Sequence, residues 1–120
     1  MARDAAAEIR ARLSVTLQQA LRAGDRHAIA AVRSLAGAID NAEALSNPAQ
    51  SARPRIGVGA GEAPRKRLTK AEIVAIIETE IAEREQAAEQ YEQLGRRAEV
   101  DAMRAQALVL NGIREAAAPD

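Results

Sequence analysis

Residues 68–95 read LTKAEIVAIIETEIAEREQAAEQYEQLG, and this stretch decides the fold. Thr69 and Glu72 stand at the spacing of a capping box, in which each side chain satisfies a backbone donor left unpaired at a helix start. Leu68 and Ile73 flank the box as a hydrophobic staple. Ile73, Ile76, Ile77, Ile81, Ala88, Tyr91 and Leu94 then recur at helical spacing along one stripe, and Gly95 supplies the stop. At 1.5 Å per residue, the predicted helix over 70–94 is roughly 37 Å long.

The same grammar extends outward. Ile9, Leu13, Leu17 and Leu21, with Ala20, form a stripe that Asp4 caps and Gly24 ends. Asp25 follows as the N-cap of a second helix with the stripe Ile29, Val32, Leu35, Ala36 and Ile39, continuing toward Ala42. A Gly-Asp link this short makes the two helices antiparallel neighbours. Past Gly95, a shorter fourth helix is expected from about Arg97 to Asn111, carrying Val100, Met103, Ala107 and Leu110, with residues 113–120 as a frayed tail. Residues 46–67 hold three of the four Pro and three of the seven Gly, with no apolar period, and read as a flexible linker. Gly57, Gly59 and Gly61 there lack the G-x-G-x-x-G spacing and the preceding strand of a phosphate cradle.

The expectation is an all-α chain: one domain over 1–120, with two helical hairpins (4–45 and 68–112) forming a small four-helix bundle around a flexible central linker. Composition agrees. Of the 48% hydrophobic residues, thirty are Ala, against nine Ile, nine Leu and six Val, with one Tyr and no Phe or Trp. Ala then serves as close-packing surface, which suits helix on helix better than sheet. A bundle this thin leaves apolar surface that self-association would bury.

Whole classes of chemistry drop out. The absence of Cys removes disulfides, thiolate nucleophiles and zinc ribbons, and a single His (His27) removes His-based metal pairs. The Ser residues lack a nucleophile elbow or Lys motif. Glu80/Glu83, Glu85/Glu89 and Glu89/Glu92 put carboxylates on shared helix faces, but no E-x-x-H pattern accompanies them. No catalytic residue, metal or cofactor is therefore expected. No apolar run exceeds five residues, so no membrane span is expected, and the N-terminus lacks a secretory signal. The expected location is cytoplasmic.

The net charge of zero is a sum of unequal blocks: +1 over 1–50, +5 over 51–70, −6 over 71–93 and zero over 94–120. The basic stretch Arg53, Arg55, Arg65, Lys66, Arg67 and Lys70 is the candidate contact for RNA, tRNA or a protein partner, since cationic segments attract phosphate without sequence specificity. It lacks interleaved aromatics for base stacking. Like charges at i,i+3 and i,i+4 oppose a helix by a few tenths of a kcal/mol each. The acidic helix is therefore either solvated or faced by positive charge from the linker, from Arg96 and Arg97, or from a partner. Arg84 falls inside the apolar stripe, four residues after Glu80. It is either a structural arginine paired with that carboxylate or a partner-binding one. Arg33, at a stripe edge, carries the same two readings.

Two blocks resemble the GatB/YqeY-type family. In ALRAGDRHAIAAVRSLAGAIDNAE (20–43), Asp25, Arg33, Leu35, Ile39, Asn41 and Glu43 fall in the family's order. In LTKAEIVAIIETEIAEREQAAEQYEQLGR (68–96), Leu68, Thr69, Glu72, Glu80, Arg84, Ala88, Tyr91, Gly95 and Arg96 do the same. The chain is similar to the short form carrying the N-terminal helical subdomain of YqeY-like proteins. The resemblance implies a multihelical fold and kinship with the tail of tRNA-dependent amidotransferase B subunits. Members carry the label of a carbon–nitrogen ligase with glutamine as amido donor, a chemistry housed in other domains. The expected function is thus a non-catalytic accessory module associated with amidotransfer or other RNA-handling machinery. The alternatives are a component of the ligase activity itself and a self-associating or protein-binding helical module.

Overall fold

The capping box forms as its spacing requires. The Thr69 hydroxyl accepts from the Glu72 amide at 3.1 Å, and the Thr69 amide donates to the Glu72 carboxylate at 2.9 Å. Leu68 and Ile73 are both buried beside it. The computed structural model describes residues 4–45 and 67–117, and among them the chain forms α1 (Ala5–Ala23), α2 (Arg26–Leu45), α3 (Lys70–Gln93) and α4 (Arg97–Ala117), with no strand. Residues 46–66, where the linker and the glycine run are expected, lie outside the described residues.

Both hairpins turn by one device. Gly24 and Gly95 sit in the left-handed region at φ 67° and 70°. The next amide then closes back onto the helix: Asp25 donates to the Ala20 carbonyl and Arg96 to the Tyr91 carbonyl, each at 2.9 Å. This pairing satisfies carbonyls left open at a helix end, and a side chain at that φ is strained. The following helix starts at once, because the Asp25 carboxylate accepts from the Ala28 amide at 3.1 Å. At the head of α1, Asp4 does the same for Ala6 at 3.0 Å.

The core is one cluster drawn from all four helices. Ile9 and Leu13 of α1 meet Val32, Leu35 and Ile39 of α2, Ile73, Ile77 and Ile81 of α3, and Leu110 and Ile113 of α4. Ala31 and Ala88 are sealed from solvent, the close-approach role that the Ala excess implied. The most extensive packing joins α3 to α4, and α2 lies across both. Within 82–106 no residue belongs to the cluster, although Ala88 and Val100 are buried there.

Two stripe residues face solvent instead of the core. Leu21 is 52% exposed. Each i+4 step drifts by about 40° around a helix, so Leu21 has wound about 120° from Ile9 while Ala20 stays about 20° away. Leu94 is 70% exposed because it forms the C-cap, past the last turn that α4 covers. The fourth helix is also longer than expected: it runs to Ala117 and takes up most of the expected tail. Gly112 inside it costs roughly 1 kcal/mol of helix propensity. Burial of the adjacent Ile113 contributes about 1.5–3 kcal/mol and outweighs that cost.

Replacing Ile113 by Ala therefore lowers unfolding free energy by about 3 kcal/mol, whereas Leu94→Ala stays within about 0.5 kcal/mol. Urea denaturation followed by circular dichroism checks both.

Candidate functional site

Arg84 stands where the stripe of α3 calls for an aliphatic side chain, and the fold neutralises it in place. Its Nη1 lies 3.2 Å from the Glu80 carboxylate and donates to the Glu80 carbonyl at 3.0 Å, while Nε donates to Gln106 Oε1 of α4 at 3.0 Å. The Ser34 hydroxyl of α2 donates to Glu80 Oε1 at 2.7 Å. The Arg84 and Glu80 side chains are each 12% exposed. The network thus ties three helices together around a nearly buried ion pair. Among the described residues no buried side-chain polar atom lacks a hydrogen-bond partner. Arg84 is structural in the sense that its donors serve neighbouring helices.

A second ionic cluster joins α1 to α2. The Arg10 guanidinium forks onto Glu43, with Nη2 at 2.8 Å and Nη1 at 3.3 Å, and also reaches Asp40. Glu43 is buried, and the hydrogen bonds that Arg10 donates, to Glu43 first and Asp40 second, push its pKa up. Sequence reasoning named Glu43 only through the family resemblance and missed Arg10 and Asp40. The signal available was a pair of carboxylates at i,i+3 on α2 opposite the first stripe.

Beside this cluster the α1–α2 hairpin leaves an open groove of about 300 Å³. Leu13 and Leu17 form one wall, Val32 and Ala36 the other, with Ser14 and Arg33 at the rim and the Arg10–Asp40 pair also on the lining. Arg33 is exposed and, among the described residues, its side chain has no hydrogen-bond or ion-pair partner. Arg84 is engaged inside the bundle, whereas Arg33 lies on the lining of an apolar opening.

The acidic face of α3 draws positive charge from a source that sequence reasoning did not consider. Glu92 pairs with Arg104 at 2.7 Å and Glu78 with Arg114 at 3.7 Å, both on α4. Arg96 instead pairs with Glu99 and lies 5.9 Å from the Tyr91 ring centroid, and Arg97 pairs with Asp101 at 3.4 Å. The Arg96 hydrogen bond, helped by a backbone one, holds the Glu99 carboxyl below its ordinary range.

The remaining candidates are scattered. Asp25 caps α2 and Gly95 turns the second hairpin, while Asn41 is exposed. Arg67 and Lys70 are exposed near the start of α3, and Lys70 lines a shallow hollow with Glu8 and Arg12. Arg53, Arg55, Arg65 and Lys66 lie outside the described residues. His27 is half-buried in the first turn of α2. Among the described residues no three metal-ligating groups come together, and no helix is long and apolar enough to cross a membrane. Compared with family models, curated proteins and solved structures, the chain finds no match in any of the three.

Two measurements check these assignments. Arg84→Leu strands the Glu80 carboxylate and costs about 3 kcal/mol, most of which returns when Glu80 is replaced by Leu as well. Arg96→Gln moves the Glu99 carboxyl up toward its ordinary range, read by carbon-detected NMR titration. Because the folded-state pKa of Glu99 is depressed, its contribution to stability is present above the unfolded value and is lost as pH falls through the folded one.

Proposed function

We propose that this chain is a helical docking module of the GatB/YqeY type, an accessory that holds a partner of amidotransfer or other RNA-handling machinery and does no chemistry itself. The observation that carries the reading is the α1–α2 groove, an apolar slot open to solvent with Arg33, which has no ion-pair partner among the described residues, at its rim. Apolar walls favour a large aliphatic or aromatic side chain, and the rim guanidinium favours an anion next to it. That pairing selects an acidic amphipathic segment, the helix-in-groove mode of recognition. Support for the family attribution is the order of residues across 20–43 and 68–96, together with the all-helical fold. Arg33 is the position where that order and the groove coincide.

The test compares wild type with Arg33→Glu, an exposed change expected to leave stability within about 0.5 kcal/mol. Both are used to capture amidotransferase subunits from nuclease-treated lysate, identified by mass spectrometry. Retention by wild type and loss by Arg33→Glu is the expected result. Equal retention by both removes the groove from the function. Turnover by the isolated chain in glutaminase or transamidation assays overturns the non-catalytic reading.

A further inference from the structure

The far part of the α3–α4 hairpin has a flank that the bundle does not cover. Leu108 is 74% exposed there, beside Ala88 and Ala107, and together with Glu85 and Glu89 they border an open groove of about 450 Å³. It lies between α3 and α4 where the core cluster ends, with Ala107 of that cluster and Arg104 also on its lining. Its charges do not balance. The nearby cations are already engaged, Arg104 with Glu92 and Arg114 with Glu78. Glu85 and Glu89 have no hydrogen-bond or ion-pair partner among the described residues.

Glu85 and Glu89 are at i,i+4, an arrangement that works against the helix carrying them. Replacing either by a neutral residue would relieve that repulsion at no loss of a contact within the described bundle. We propose that this groove is a second docking site, for a basic amphipathic helix of a partner protein. Two Lys or Arg four residues apart on that helix meet Glu85 and Glu89, and an aliphatic side chain between them lies against Leu108. A helix laid into the notch between α3 and α4 covers the flank on which Leu108 is exposed. A second copy of the chain fits less well, because the same face on a twin brings carboxylates to carboxylates with the local arginines already paired.

The probe is a fluorescein-labelled, alanine-rich helical peptide of about 18 residues, long enough to hold helix when docked. It carries Lys at i and i+4 with Leu between; a control peptide has Glu in place of Lys. Fluorescence anisotropy should show the basic peptide binding, the control not binding, and affinity falling as salt rises. Glu85→Gln with Glu89→Gln should weaken binding about tenfold, and Leu108→Ala several-fold, with circular dichroism unchanged. Arg33→Glu should leave this binding unchanged, so failure here is separable from failure at the α1–α2 groove. Equal binding of the two peptides, or unchanged affinity in the double variant, overturns the proposal. So does a dimer, seen by sedimentation, that the double variant abolishes, since the occupant is then a second copy. A rise in affinity on replacing Arg53, Arg55, Arg65 and Lys66 by Gln also overturns it, because the chain's own basic segment then holds the face.

Discussion

The structure depends on how one guanidinium is kept out of water. Arg84 enters the bundle on the inner face of α3, and a charge there is tolerable only if every donor finds an acceptor of the right kind. Glu80 supplies the counter-charge from the preceding turn, but a single carboxylate on the same helix fixes nothing beyond that helix. The acceptor on Gln106 and the hydroxyl of Ser34 do more, since they bring α4 and α2 to fixed positions around α3. The aliphatic core, lacking aromatics, provides attraction without much directional preference. The polar network provides the geometry, and the two hairpins dock in one arrangement because one arrangement satisfies it.

Most of the helix pattern was legible because its signals are local. Capping residues and left-handed glycines act within a few residues, so Asp4, Gly24, Asp25, Thr69 and Gly95 mark boundaries that the structure reproduces within a residue or two. The end of α4 was not legible, because the helix is carried past Asn111 by burial of Ile113, which depends on tertiary packing. Leu21 and Leu94 were misplaced for two reasons: a run of i+4 steps drifts off the face of a helix, and periodicity does not show where the neighbouring helix stops covering it.

The candidate site was less legible, for physical reasons. An arginine carries the same charge whether it is spent inside or displayed outside, so Arg33 and Arg84 could be separated only by knowing what surrounds each. Arg10 illustrates the converse, a surface-like residue that becomes the partner of a buried carboxylate because Glu43 of another helix lies opposite. The ion pairs that Arg104 and Arg114 make across α3 and α4 depend on the register of an antiparallel pair, which is set only after both helices pack.

The shared glycine turns bear on how the chain reaches its native state. Each hairpin closes through a link of only a few residues, so its contacts form at small entropic cost and early. Joining the hairpins is the long-range event, spanning the residues between Leu45 and Arg67, and it is also the event that brings the Ser34 hydroxyl to Glu80. The hairpins are thus separate kinetic units, and the rate at which they unite is set by the probability of meeting and by the polar match at their junction. A change at Ser34 slows that union while leaving each hairpin's own formation untouched, whereas a change at Gly24, Gly95 or Gln106 acts on the hairpin that contains it.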